Sequence, residues 1–333
     1  MARLPVRDAP AQERGAALLT VLMLVAVMAV ITVVALERLT IATRMAQNGV
    51  SADQGRAFLV AGETVAALRI GDLVAAQPGR TTLQGGWLGT PQSVPVPGGM
   101  VVARARDGGN CFNINGLVSG STPDSYSARP AGIAQFATLL RLLGTDPRVA
   151  DQIAVGSADW IDSDAVPGPG GAEDAYYQQQ AEPYRTAGGL VADPSEIRTV
   201  VGMTGPIYER VRPWLCALPV AILSPININT LLPDQGILLA MLAEGRIGAE
   251  TARQVLAQRP RDGYGSLVTF WAQPALAGLG LSPEVTEQVK LTSRWFAVDL
   301  QVDLAGTDVS ETALFDAQDG QVRLVRRRWG DDS

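Results

Sequence analysis

The chain of 333 residues contains no histidine, and this absence excludes more chemistry than any other feature of its composition. Without imidazole it has no Ser-His-Asp or Cys-His nucleophile, no histidine general base and no histidine-ligated zinc site. A metal site would have to use oxygen ligands or the two cysteines. Lysine and arginine number 27 against 33 aspartates and glutamates. The net charge of −6 therefore disfavours nucleic-acid binding, which requires a basic face.

The chain does contain a long apolar segment near its beginning. No charged residue occurs from Ala16 to Leu36, and Glu37 ends the run. At about 1.5 Å per residue these residues form a helix of about 31 Å, enough to cross the hydrocarbon core of a bilayer. A cleaved secretory signal would have a shorter apolar core followed by a small-residue cleavage site. Here the helical pattern continues to about residue 75, so we predict one helix that runs from the membrane into a head.

The polar leader before this segment ends at Gly15, and the apolar residues AALLTVLMLVAVMAV follow. This arrangement resembles the processing site of type IV pilins and type II secretion pseudopilins. The resemblance implies that a prepilin peptidase cleaves between Gly15 and Ala16. Most members of these families carry a glutamate at the fifth mature position, where this chain has Thr20. K-type minor pseudopilins typically lack it, because a tip subunit has no subunit ahead of it to provide a cationic partner.

Alternating apolar and polar residues predict a small antiparallel sheet with strands at both ends of the remaining sequence. Residues 100–106 are typical of a strand, and the Asp319-Gly320 turn between two alternating segments predicts a hairpin. The residues between, about 113–292, have a mostly helical pattern. We therefore predict an α+β fold, in which a pilin-like helix and a small sheet carry a large inserted α-helical domain.

The predicted insertion contains two similar segments, CFNINGL at 111–117 and PININTL at 225–231. In each, the second asparagine, Asn115 or Asn229, can cap the following helix by accepting a backbone N–H. The residues after the second copy resemble a SAM-like or helix-hairpin-helix array. Such arrays often bind DNA, so the alternative function is a membrane-anchored DNA-binding protein of a competence or type IV pilus system. The acidic balance of residues 223–292 favours a scaffold for protein contacts and no nucleic acid.

One segment, SADWIDSDAVPGPGGAEDAYY, concentrates carboxylates around a loop rich in glycine and proline. Carboxylates this close repel one another unless they are solvated, neutralised or bridged by a cation. Ca²⁺ accepts six to eight oxygen ligands in irregular geometry, whereas Mg²⁺ usually keeps several waters. The pattern favours calcium, and an acidic solvated loop with a helix-capping aspartate is the alternative. A glycosidase could also pair carboxylates, but only two tyrosines here could form a sugar platform.

The same segment, together with EPYRTAGG, SEIRTV, CALP and ININT, resembles the core signature of type II secretion system protein K, a family of minor pseudopilins. The resemblance extends from Gly15 to the terminal strands. It implies a calcium site whose ligands are Asp162, Asp164, Glu173 and Asp174, with Asp159 either a further ligand or turned towards its helix.

The resemblance also implies a structural role without enzymatic activity. The chain would lie at the tip of a pseudopilus, in contact with I-type and J-type minor pseudopilins, and would take part in initiating it. It would span the bacterial inner membrane once, with its head in the periplasm. The implied domains are a leader (1–15), a transmembrane helix (16–36), a periplasmic helix with the first strands (37–112), two SAM-like subdomains (113–222 and 223–292) and terminal strands (293–333).

The two cysteines are Cys111 and Cys216. A head in the oxidising periplasm allows them to form a single intramolecular disulfide. This bridge would join the end of the first strand region to the end of the first helical subdomain. Two buried free thiols are the alternative.

Overall fold

The computed structural model describes residues 11–304 and 306–330, with side chains from Ala16 onward; residues 1–10 of the predicted leader lie outside the described residues. The helices are α1 Ala11–Ala76, α2 Pro130–Leu142, α3 Pro147–Asp159, α4 Asp174–Tyr177, α5 Gly205–Val211, α6 Gly236–Leu242, α7 Ala249–Ala257, α8 Leu267–Trp271 and α9 Pro283–Thr286. The strands are β1 Gln92–Val96, β2 Gly99–Asp107, β3 Phe112–Asn113, β4 Val118–Ser119, β5 Ser127–Ala128, β6 Leu215–Cys216, β7 Ile226–Asn227, β8 Val289–Lys290, β9 Trp295–Leu304, β10 Thr307–Gln318 and β11 Gln321–Trp329.

The first helix is the longest element. It has 66 residues, which corresponds to about 100 Å. Its apolar half from residue 16 onward is exposed, and the helix is long and apolar enough to cross a membrane. The predicted cleavage site at Gly15 and Ala16 lies within the first turns of this helix. The helix ends at Ala76, close to the predicted residue 75.

A five-stranded antiparallel sheet, in the order β1-β2-β9-β10-β11, packs against the second half of α1. Strands β2 and β9 are direct neighbours, paired from Gly99–Leu304 to Asp107–Phe296, although the whole insertion separates them in the chain. Between β10 and β11, Asp319 and Gly320 adopt φ angles of 54° and 74°, as the predicted hairpin turn requires. The prediction of one antiparallel sheet interrupted by a helical insertion is confirmed.

Glycine allows α1 to approach the sheet closely. A Cβ atom at Gly55 would lie 2.8 Å from Val309 Cγ2, and one at Gly62 would lie 2.8 Å from Leu300 Cδ2. These distances are shorter than normal carbon–carbon contacts, so a larger residue would push helix and sheet apart. Between the two glycines, Leu59 is completely buried against the sheet.

An ionic cluster lies inside this helix–sheet interface. Arg327 of β11 donates hydrogen bonds to both carboxylate oxygens of Glu63 on α1, at 2.6 and 2.5 Å. Glu311 of β10 is 1% exposed, and its Oε1 lies 3.7 Å from Arg327 Nε. Burial is the main cause that raises the pKa of Glu311 to about 8, and the adjacent Glu63 adds to it. Arg327 lowers the pKa of Glu63 in spite of its desolvation.

We expect Glu311→Gln to stabilise the protein at alkaline pH. Because the pKa of Glu311 is higher in the folded chain than in the unfolded chain, its contribution is complete below about pH 4.5 and is lost as the pH rises through about 8. The variant should be more stable than the native chain by about 3–4 kcal/mol at pH 8 and by less than about 1 kcal/mol at pH 5. Urea unfolding of the detergent-solubilised chain, followed by tryptophan fluorescence, measures this difference.

Glu287→Gln is the matched control, since Glu287 is exposed and outside the cluster. Any other group that titrates between these two pH values contributes equally to the native chain and to both variants. An equal difference between Glu311→Gln and the native chain at the two pH values would contradict the prediction.

The residues between β2 and β9 fold into two lobes that share one apolar core. Each lobe begins at an N-I-N segment and ends where a short strand pairs with it in parallel, β6 with β3 in the first lobe and β8 with β7 in the second. Inside the first lobe, Phe112 and Phe136 stack with their ring centroids 4.8 Å apart. The sequence repeat therefore corresponds to a repeat in architecture.

The prediction that Asn115 and Asn229 cap helices is wrong. Asn115 accepts a hydrogen bond from Val191 N and donates one to Val191 O, both at 2.9 Å. Asn229 forms the same pair with Tyr264, accepting at 2.6 Å and donating at 3.0 Å. Both asparagines are buried, where an amide can satisfy the N–H and C=O of a distant residue. Each one ties a distant loop to the start of its lobe.

A disulfide joins Cys111 to Cys216, whose Cα atoms lie 5.8 Å apart. Cys111 directly precedes β3. Cys216 is the last residue of β6, where it pairs with Asn113 of β3. The bridge therefore closes the first lobe at its base, next to the edge where that lobe leaves the sheet.

Candidate metal centre

Helix α3 positions the first of the predicted carboxylates. Its first turn is capped by Asp146, whose Oδ1 accepts a hydrogen bond from Arg148 N at 2.9 Å, and proline occupies its first position. The buried side chains of Ile153 and Ala158 anchor the helix in the core of the insertion. The helix ends at Asp159, so the carboxylate of this residue faces the loop that follows.

The structure brings together three of the five predicted carboxylates: Asp159, Asp162 and Glu173. One oxygen from each lies within 4.8 Å of the others. The three residues are 2%, 3% and 4% exposed, respectively. An acidic loop in free contact with solvent would not bury its carboxylates in this way, so the alternative of a solvated loop does not describe these three residues.

The glycine-rich loop wraps around Asp159. Gly168 N donates to both oxygens of this carboxylate, at 3.1 and 3.2 Å. A Cβ atom at Gly171 would lie only 1.9 Å from Asp159 Oδ2, so any larger residue there would force the Asp159 carboxylate out of its position. The backbone of the loop therefore lies in direct contact with the Asp159 carboxylate.

The other two carboxylates of the group have oxygens without partners. Asp162 Oδ1 and Glu173 Oε1 are buried and accept no hydrogen bond from the described residues. Burial, and then the charges of neighbouring acidic residues, raise the pKa of Asp162 to about 7 and that of Glu173 to about 7. Burial also raises the pKa of Asp159. Unpaired buried carboxylates are costly, and a hard cation with oxygen ligands would offset that cost. The residues present therefore fit a calcium ion.

Asp164 and Asp174 lie outside this group of three. Asp164 is exposed, and its Oδ1 accepts a hydrogen bond from Val166 N at 2.8 Å. Asp174 Oδ1 accepts hydrogen bonds from the N–H and the hydroxyl of Thr186, at 2.9 and 3.1 Å. Each carboxylate thus bonds to its own loop. Both residues remain predicted ligands through the family resemblance alone.

Aromatic side chains from both ends of the acidic loop pack against one another, a feature that the sequence did not predict. Tyr177 is completely buried, with its ring 5.4 Å from Trp160 and 5.1 Å from Tyr184. Its hydroxyl accepts a hydrogen bond from Val201 N at 3.2 Å. The alternation of aromatic and acidic residues from 160 to 184 was the available signal. Tyr177 N also donates a hydrogen bond to Glu173 O at 3.3 Å, which links the packed aromatic rings to the backbone of Glu173.

Comparison with known proteins gives matches over most of the chain. Residues 110–220 and 226–292 match family models described as "Type II secretion system (T2SS), protein K". Type II secretion system protein K of Pectobacterium carotovorum subsp. carotovorum is 33% identical, over 96% of this chain and 97% of the relative. The Klebsiella pneumoniae protein of the same name is 30% identical over the same shares of the two chains. These names do not support the alternative of a DNA-binding protein.

A solved structure is similar in fold. The similarity is to a chain in the crystal structure of the GspK-GspI-GspJ complex from the enterotoxigenic Escherichia coli type 2 secretion system, with a TM-score of 0.73. It covers 84% of the present chain and 97% of that chain, at 26% identity. Sequence signature, fold and full-length relatives agree: the chain belongs to the type II secretion system protein K family.

Proposed function

We propose that this chain is a membrane-anchored minor pseudopilin that assembles with two other minor pseudopilins at the tip of the type II secretion pseudopilus. The observation that carries this proposal is the similarity, over nearly the whole of the solved chain, to a protein crystallised in a GspK-GspI-GspJ complex. I-type and J-type minor pseudopilins are accordingly the expected partners. The complex would initiate the pseudopilus and take part in exporting folded proteins across the outer membrane.

The first helix supports the membrane anchor. Its exposed apolar segment at 16–36 would lie in the bacterial inner membrane, with the head in the periplasm. A prepilin peptidase would remove the leader by cleavage between Gly15 and Ala16. The Cys111–Cys216 disulfide agrees with an oxidising compartment for the head.

Two features support a position at the tip. The insertion between β2 and β9 is larger than the sheet that carries it, and such a head would be difficult to place between subunits within a filament. Thr20 stands where most pilin-like subunits carry glutamate, and its hydroxyl donates to Ala17 O at 2.9 Å. A threonine satisfied within its own helix needs no cationic partner from a subunit ahead.

We also propose that calcium binds at Asp159, Asp162 and Glu173, with Asp164 and Asp174 as further candidates. The buried oxygens without partners support this choice. Bound calcium would supply the positive charge that links the end of α3 to the start of α4. Its role in this proposal is structural. We propose further that the two lobes are SAM-like modules that form protein contacts. The support is that each lobe is closed by a parallel pair of two-residue strands.

Co-expression of the full chain with I-type and J-type minor pseudopilins tests the assembly. We expect the three proteins to co-elute as one complex in detergent, and antibodies against the head to label pseudopili at one end only. Expression of the chain with the major pseudopilin alone is the control. Labelling along the whole filament would contradict the tip position, and separate elution of the three proteins would contradict the partnership.

A further inference from the structure

The face of the sheet opposite α1 borders a cleft under the first lobe. One part of this cleft has a volume of about 650 Å³, and it continues into a second part of about 780 Å³. Both parts share Arg106 of β2 with Glu209 and Arg212 of the first lobe. The cleft is separate from the candidate metal centre, since none of the three clustered carboxylates lines it.

Arginine dominates the charged side chains of this cleft, although the whole chain carries a net charge of −6. Cross-strand pairing places Arg104 and Arg328 in one row on the outer face of the sheet, with Arg106 and Arg326 in the next row. The first lobe adds Arg198 and Arg212 from the opposite wall. The acidic residues that face these six arginines are Asp193, Glu209 and Asp299. Asp107 and Glu311 also border the cleft, but each is buried in contacts of its own.

The acidic residues do not pair with all of the guanidinium groups. Arg328 pairs with Asp193 at 2.5 Å, and Arg106 with Asp299 at 3.3 Å. Arg326 donates instead to the carbonyl oxygens of Ala192 and Ala217, at 2.5 and 2.6 Å, and forms no ion pair with the described residues.

The two arginines of the lobe are also without carboxylate partners. Arg212 forms neither a hydrogen bond nor an ion pair within the described chain, and Arg198 lies over the ring of Tyr208 at 5.4 Å. Arg104 of β2 likewise forms no ion pair with the described residues, so four guanidinium groups around the cleft have no carboxylate bound to them. Positive charges gathered in a concave site raise the local concentration of anions. A guanidinium group can also donate two parallel hydrogen bonds to one carboxylate.

We propose that this cleft, called here the arginine cleft, binds an acidic polypeptide segment of a partner protein. Its carboxylates would bind Arg212, Arg326 and Arg198. The two connected parts of the cleft suit an extended chain better than a small inorganic anion. Tyr208, Leu215 and Trp329 provide apolar contacts along the same walls. A nucleic acid is disfavoured by the acidic residues between the arginines and by the negative net charge. The proposal is independent of the metal centre and of the position in the pseudopilus.

Fluorescence anisotropy with the full chain in detergent tests the proposal. The probe is a fluorescein-labelled peptide of about ten residues that alternates glutamate and serine, and the control peptide has lysine in place of glutamate. We expect the acidic peptide to bind at about 20 mM salt and to dissociate as salt is added, while the basic peptide does not bind. The double variant Arg198→Gln/Arg212→Gln should bind about tenfold more weakly or worse.

The matched control is Arg148→Gln/Arg261→Gln, which removes the same charge from exposed arginines outside the cleft. It should bind the acidic peptide like the native chain. Equal weakening by both double variants, or binding that neither changes, would overturn the proposal, as would failure of the acidic peptide to bind. Tighter binding of a thymidine oligonucleotide with the same sensitivity to Arg198 and Arg212 would overturn the assignment to a polypeptide.

A further experiment tests whether the chain's own acidic residues compete for the cleft. Asp331 and Asp332 directly follow Gly330, which lines the cleft. A variant that ends at Gly330 should bind the peptide with nearly the same affinity as the full chain. Binding that occurs only after residues 331–333 are removed would assign the cleft to the chain's own end and overturn the proposal of a partner segment.

Discussion

Replacing Cys111 with serine is expected to lower the free energy of unfolding by about 4 kcal/mol in an oxidising buffer. The two cysteines are separated by 105 residues, and closing a loop of this length removes much of the entropy of the unfolded chain. The strands beside the bridge are only two residues long and give the base of the first lobe little hydrogen bonding. Urea unfolding of the detergent-solubilised chain measures the loss.

The same loss should follow from the double variant Cys111→Ser/Cys216→Ser, since removing either sulfur breaks the same bond. Reduction of the native chain with dithiothreitol should lower its stability to that of the variants, and should not change the stability of the double variant. If reduction leaves the native chain unchanged, the bridge does not hold the lobe. Alkylation under non-reducing conditions, followed by mass spectrometry, verifies that the native chain has no free thiol.

Calcium at about 1 mM is expected to raise the free energy of unfolding by about 2–3 kcal/mol, the effect of a ligand at a hundred times its dissociation constant. Glu173→Gln should remove most of this increase, because it replaces a charged ligand with a neutral amide. Without calcium the same variant should be at least as stable as the native chain, since the amide relieves the repulsion from Asp159 and Asp162. This reversal distinguishes a metal ligand from a residue that only packs.

The matched control for the metal centre is Asp308→Asn, since Asp308 is exposed and lies on β10 of the sheet, outside the inserted lobes. It should keep the full response to calcium. Asp164→Asn and Asp174→Asn should keep most of it, because these carboxylates lie outside the buried group of three. Thermal unfolding with Ca²⁺, with Mg²⁺ and with a chelator gives the comparison. An equal response of Glu173→Gln and the native chain would contradict the proposed site.

The parts of the fold that follow from local pattern could be predicted from the sequence. A run without charges, an alternating strand and an Asp-Gly turn each act over a few residues, so α1, β2 and the β10–β11 hairpin were accessible. The fate of Asn115 was not, because its partner Val191 is 76 residues away. For the same reason, sequence reasoning could collect the acidic residues but could not sort them. Whether Asp174 faces Glu173 or Thr186 depends on how the loop folds back on itself.

The pairing of β2 with β9 has a consequence for how such a head can evolve. The two strands meet side by side at Asp107 and Phe296, so the insertion leaves the sheet and returns to it through a single narrow point. A short turn at that point would connect β2 to β9 as an ordinary hairpin and leave the remainder of the sheet intact. Head and sheet thus share a single crossing of the chain, and a different head can be exchanged at that point provided that it replaces the buried contacts of Leu218 with Trp295, Ala297 and Leu314.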